Sequence, residues 1–148
     1  MTTYDRMLEL KSYDQMCRAA LAATAYFEKA CLADPANIPT GATFRVRDIR
    51  DCHESLEKTY LVMTFARFEG ALRDYWRMGC GKHTHPLARI LLETIAARCN
   101  MHADALKLAH AVRDYRNSIV HGGEAPPVTL AEARSYLCTF LSHLPRQW

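Results

Sequence analysis

Apolar side chains recur at intervals of three and four through most of the chain, which is the repeat of amphipathic helices. Leu10, Tyr13, Cys17, Ala20, Leu21, Thr24, Phe27 and Cys31 mark one long helix, or two abutting ones, between about Thr3 and Ala33, with first turns expected to fray. A loop over 34–47 follows, opened by Asp34-Pro35 and closed by Arg45-Val46-Arg47. Asp51 and Glu54 have the spacing of a capping box, and Leu61, Phe65, Phe68, Leu72, Tyr75 and Trp76 then stripe a second long helix that ends at Gly79. After a loop to Pro86, Leu87, Ile90, Leu91 and Ile95 predict a third helix, and a fourth starts near Met101. Gly122, Gly123, Pro126 and Pro127 break the pattern over 122–128. A second capping box, Thr129 to Glu132, begins a last helix striped by Leu130, Ala133, Leu137, Phe140, Leu141 and Leu144. No stretch alternates with period two and none repeats. The expected fold is all-α: one domain over 1–148, an up-and-down bundle of about five helices.

Composition narrows the class of protein further. With 148 residues, 49% of them hydrophobic, the chain can bury a core without disulfides. Six cysteines stand singly and without CxxC spacing, so reduced thiols and a cytoplasmic location are expected. No apolar run is long enough to span a bilayer, and the first residues do not resemble a signal peptide. The formal charge of +3 is too small to argue for nucleic acid alone, but the 19 basic residues comprise 14 arginines and five lysines. Arginine suits phosphate through its planar fork of donors.

The fourth helix carries the anomaly. Around Val112, the residues Ala105, Leu108, Ala109, Tyr115 and Ile119 share one face at about 100° per residue, and Arg116 falls among them. A guanidinium cannot shed its charge to enter a core, so this position calls for an anion, a cleft or a subunit boundary. His121 lies five residues on, about 140° round the helix, so the two side chains do not converge if the helix simply continues. The helix should therefore end near His121, with Gly122 in a left-handed closing position and the imidazole at the negative end of the dipole. The plainer reading of these residues is a helix cap, with the arginine snorkelling and the histidine serving the dipole.

Arg116-Asn117-Ser118-Ile119-Val120-His121-Gly122 resembles the Arg-polar-x-x-x-His signature of the HEPN superfamily, in its Arg-Asn-x-x-x-His-Gly form. Phe65-Ala66-Arg67-Phe68-Glu69-Gly70-Ala71-Leu72-Arg73 on the second helix is similar to segments of such domains, and the pattern extends over about 51–144. The resemblance implies a HEPN-like helical fold, a homodimer with a composite site, and cleavage of RNA without metal to leave a 2′,3′-cyclic phosphate. It assigns catalysis to Arg116, His121 and Asn117, and favours a supporting role for Glu69 and Arg73. By spacing alone, Glu69 and Arg73 can equally form a solvated ion pair. In certain HEPN toxins paired with nucleotidyltransferases, a tyrosine two residues after the histidine is adenylylated; Gly123 stands there in this chain. An inhibitor protein of antitoxin type is a further candidate partner. The rival reading within the resemblance is a non-catalytic module for binding RNA or nucleotide and for dimerisation.

The chain offers no carboxylate cluster of the kind that two-metal nucleases use, so the expected site has no metal and no cofactor. Cys80, His83 and His85, with Cys99 and His102 beyond the third helix, could supply zinc ligands, but their spacing fits no common structural pattern. RNA carries its own nucleophile, the 2′-hydroxyl. One imidazole can move protons and one guanidinium can stabilise the extra charge on phosphorus. His53, His102, His110 and His143 have no partner legible in the sequence.

Overall fold

The computed structural model describes residues 2–148, and among these it contains helices and no strand. Helix α1 spans Thr3–Ala33 and is followed by a short 3-10 turn, Pro35–Asn37. Helix α2 spans Val46–Asp74 and runs on into a π-helical turn, Tyr75–Gly79. Helices α3 (Ala88–Arg98), α4 (Ala103–His121) and α5 (Leu130–Ser142) complete a small helical bundle. No helix among the described residues is long and apolar enough to cross a membrane.

The first helix is unbroken, and its start is capped where fraying was expected. Thr2 Oγ1 accepts from the Asp5 N–H at 3.1 Å, and the Asp5 carboxylate accepts from the Thr2 N–H at 2.7 Å, closing a capping box. The Thr3 N–H also donates to the Arg146 carbonyl at 3.0 Å, pinning this end to the C-terminal segment. The second helix begins five residues before the Asp51 position expected of it. Val46 is helical, not loop, because Asp48 takes the reciprocal role: its carboxylate accepts from the Arg45 N–H at 2.6 Å. Arg45 is not a usual capping residue, which is why its position looked like loop. Thr129 and Glu132 cap α5 as expected.

Helix α2 is the centre of the packing. It lies against α1, α3, α4 and α5, while α5 also packs on α1 and α4. Phe68 is fully buried and meets Phe140 of α5 edge to face, ring centroids 5.5 Å apart. Leu91, Leu92 and Ile95 of α3 and Ala109 and Val112 of α4 close the same core. The expected face of α3 is rotated: Leu87 and Ile90 are exposed, and Leu92 and Ala96 take their places inside. Leu87 is the residue before the helix, so it never acquires the helical phase assumed for it.

Polar ties hold α1 to its neighbours. The buried Asp14 carboxylate accepts from Arg134 of α5 at 2.7 Å, and Arg67 of α2 grips Glu9 with two bonds of 2.6 and 2.9 Å. His53 Nδ1 and the Thr24 hydroxyl lie 2.7 Å apart.

Truncating Phe68 to alanine removes a fully buried ring from the meeting point of α2 and α5. It is expected to cost about 3–5 kcal/mol of stability, read as a lowered urea midpoint. Met63→Ala, on the exposed side of the same helix, should cost under about 0.5 kcal/mol.

Candidate functional site

Helix α4 ends where expected. His121 is its last residue, and the Gly122 N–H still donates to the Ser118 carbonyl at 3.1 Å. Gly122 then has φ 78° and ψ 174°, and Gly123 has φ 108°. The positive φ was anticipated, but the ψ of Gly122 belongs to an extended region essentially restricted to glycine, not to the left-handed helical cap. The chain leaves the helix sharply as a result, and His121 is exposed at its end.

Arg116 is half-buried, with Cζ 6.0 Å from the centre of the Phe65 ring on α2. The two stretches that carried the family resemblance therefore meet at this contact. Arg116 Nη1 donates to Asn117 Oδ1 at 3.0 Å, while its buried Nε finds no acceptor. Eleven of the chain's arginines hold ion pairs with carboxylates. Of the remaining three, Arg98 and Arg146 are exposed, and only Arg116 is withdrawn from solvent among the described residues. An unmade buried hydrogen bond costs about 1–3 kcal/mol, against about 0.5–1 kcal/mol or somewhat more from a cation over a ring. Arg6 also has a buried Nε without an acceptor, but it pairs with Asp74, so among the described residues only Arg116 combines an unmet guanidinium donor with no carboxylate partner.

Arg116 and His121 do not converge within one chain, in keeping with the 140° between them. His121 and Asn117 line a hollow of about 410 Å³ with Asp114, Ser118 and residues 122–126. Lys58, Tyr115, Ser118 and Ile119 line an adjoining one of about 740 Å³, which shares the 123–126 wall. Arg116 borders neither, and Asn117 links the two halves of the site by touching Arg116 while facing the hollow. Lys58 and Tyr115 were not singled out in the sequence; Lys58 stands seven residues before Phe65, two turns along the same helix face. The rims are not strongly basic, since Glu124 lines the larger hollow with Lys58 and Asp114 lines the smaller one.

Glu69 and Arg73 pair with each other. Arg73 Nη2 and Nε reach Glu69 Oε1 at 2.5 and 3.0 Å, and Arg73 Nη1 donates to the Pro86 carbonyl at 3.3 Å. They tie α2 to the entry of α3, and neither hydrogen-bonds to Arg116. Among the described residues, no three His, Cys, Asp or Glu side chains gather closely enough to hold a metal, so Cys80, His83 and His85 do not form a ligand set. All six cysteines are unpaired.

The histidines left without partners in the sequence have them in the fold. The His102 side chain caps α4 at the Asp104 N–H, and His143 Nδ1 lies 2.8 Å from the Thr139 carbonyl. Arg113 Nη1 lies 3.0 Å from His110 Nδ1, so the guanidinium donates and the imidazole is neutral. Burial, and then the Arg113 charge, push the His110 imidazole below its usual range. Comparison with family models, curated proteins and solved structures finds no match to this chain.

Folded His110 resists a proton that the unfolded chain accepts. Its contribution to stability is full above the ordinary histidine value and is lost as pH falls through the depressed folded one. His110→Gln should therefore flatten the loss of stability between about pH 7 and 5, measured by urea unfolding at each pH. A second prediction concerns the helix exit. A Cβ on Gly122 would meet nothing within 4 Å, so Gly122→Ala tests backbone strain alone. It should lower stability by about 1–3 kcal/mol, read from the same unfolding curves.

Proposed function

We propose that this chain is a metal-independent endoribonuclease of HEPN type, working as a homodimer whose two α4 ends complete one another's site. The observation that supports this most is Arg116: a half-buried guanidinium, seated over Phe65, bonded to Asn117 and unpaired with any carboxylate. Such a group awaits an anion with oxygen acceptors, and a phosphodiester supplies one.

In this reading His121 takes the proton from a ribose 2′-hydroxyl. The oxygen attacks phosphorus, and the phosphorane charge is stabilised by Arg116. The bond to the 5′-oxygen then breaks, a proton returns to that oxygen, and the products carry a 2′,3′-cyclic phosphate and a 5′-hydroxyl. Asn117 orients substrate or guanidinium through its amide. In-line displacement gains from a base on one side and an acid on the other, and each chain brings one motif histidine. A two-fold partner supplies the second, together with an Arg116 from the other direction. Glu69 and Arg73 act, on this view, by holding α2 against the entry to α3. A toxin or defence role, with an inhibitor protein as partner, fits such an activity, and the Gly123 position points to an inhibitor that does not adenylylate a tyrosine there.

Single-stranded RNA incubated with the protein in excess chelator should be cleaved to cyclic-phosphate ends. Arg116→Ala and His121→Ala should each lower the rate by about 10²–10⁴-fold without loss of helical content by circular dichroism. Intact RNA with salt-dependent binding retained would instead assign the chain to a non-catalytic binding module.

A further inference from the structure

Another polar hollow, with none of its lining on α4, lies at the π-helical turn. There the Cys80 N–H reaches back to the Tyr75 carbonyl at 3.0 Å, one residue further than an α-turn allows. Turns of this kind are frequent at functional sites. Gly81, with φ 63°, reverses the chain, and the 80–87 segment folds back over the helix end. Three bonds hold it: the Lys82 N–H to the Trp76 carbonyl at 3.1 Å, the Trp76 indole N–H to Thr84 Oγ1 at 3.1 Å, and Arg73 to the Pro86 carbonyl at 3.3 Å. The loop is thus built against the turn.

Between them is a hollow of about 350 Å³, bordered by Trp76, Arg77, Lys82, His83, Thr84 and His85, with Arg73 and Asp74 at its base. That volume is within the range of small-ligand sites. The acids nearby are engaged: Asp74 pairs with Arg6 at 2.9 Å and Arg77 at 3.3 Å, and Glu69 pairs with Arg73. Lys82, His83 and His85 are exposed and form no ion pair among the described residues. The hollow therefore joins an unopposed cation and two imidazoles to a half-buried indole whose edge is already anchored.

We propose that this hollow binds a nucleoside phosphate, with the phosphate held by Lys82, His83 and His85 and the base stacked on Trp76. Phosphate contacts from such donors fix position, and an aromatic face accepts any base. The proposal does not depend on cleavage at Arg116 and His121. The ligand chemistry has two sources, a free nucleotide or one unit of a strand.

Intrinsic fluorescence of the two tryptophans, Trp76 and Trp148, reports occupancy. The full chain is titrated with AMP, with an octamer of deoxyadenylate, and with inorganic phosphate. Neither AMP nor the deoxy-octamer has a 2′-hydroxyl next to an internucleotide bond, so the readout is blind to ribonuclease activity. AMP should quench, the quench should disappear in Trp76→Phe, and affinity should fall by about tenfold or more in the exposed double variant Lys82→Ala/His85→Ala. Tighter binding of the octamer than of AMP supports the site with a strand as source, and equal binding supports it with a free nucleotide. Absence of quenching by both, binding unchanged in the variants, or a response to inorganic phosphate equal to that to AMP overturns the proposal.

Discussion

The aromatic seam of α2 is the constraint on which the bundle depends. Phe68 meets Phe140 at the centre, and Phe65 continues the seam one turn earlier, its ring 5.9 Å from that of Phe68. Each of the other four helices presses on α2, so its side chains set the distance and phase at which α4 can dock. Phe65 has a double place in this arrangement. One part of its ring belongs to the core, and Arg116 lies over it. Core packing and the placement of the unpaired charge are therefore one event.

That coupling separates Arg116 from the rest of the arginines. Most of them sit on the surface in pairs with acids, where ion pairs contribute little and can be exchanged without consequence. The fold could have provided a carboxylate for Arg116, as it provides Glu9 for Arg67 and Asp14 for Arg134. It provides only an amide oxygen, which leaves the charge uncompensated. Of the three arginines that hold no carboxylate, Arg116 is the one in a half-buried position, which favours a site over an ornament of the helix.

Much of this architecture was legible in the residues. The three-and-four spacing of Leu61, Phe65, Phe68 and Leu72, and of Leu130, Ala133, Leu137 and Leu141, described faces that are buried throughout. Helix ends were less legible. The α2 start was missed because its cap is formed by a carboxylate three residues inside the helix and not by the residue at the boundary. The α3 face was misphased by one residue, since Leu87 is apolar yet precedes the helix. In the site, the 140° between Arg116 and His121 was calculable from helix geometry; in the structure the two share no hydrogen bond, and Arg116 does not line the hollow that His121 borders. Phe65 as the platform for Arg116, Lys58 across the hollow, and the Arg113–His110 contact were not readable, because each depends on how two helices meet. The Glu69–Arg73 spacing admitted both a mutual pair and a role beside Arg116; the mutual pair is the one formed.

The π-turn carries one extra residue in the last turn after α2, so the bond to the Tyr75 carbonyl comes from Cys80 and not from Gly79. Gly79 lets the turn pass close to a side chain: a Cβ there would come within 2.6 Å of the Tyr75 ring, and that ring meets Trp148 edge to face. Arg6 in turn lies over the Trp148 indole. Residues near both ends of the described chain thus pack around the turn that follows α2. The point at which the 80–87 segment leaves the helix therefore lies beside a stack that runs from Gly79 through Tyr75 and Trp148 to Arg6.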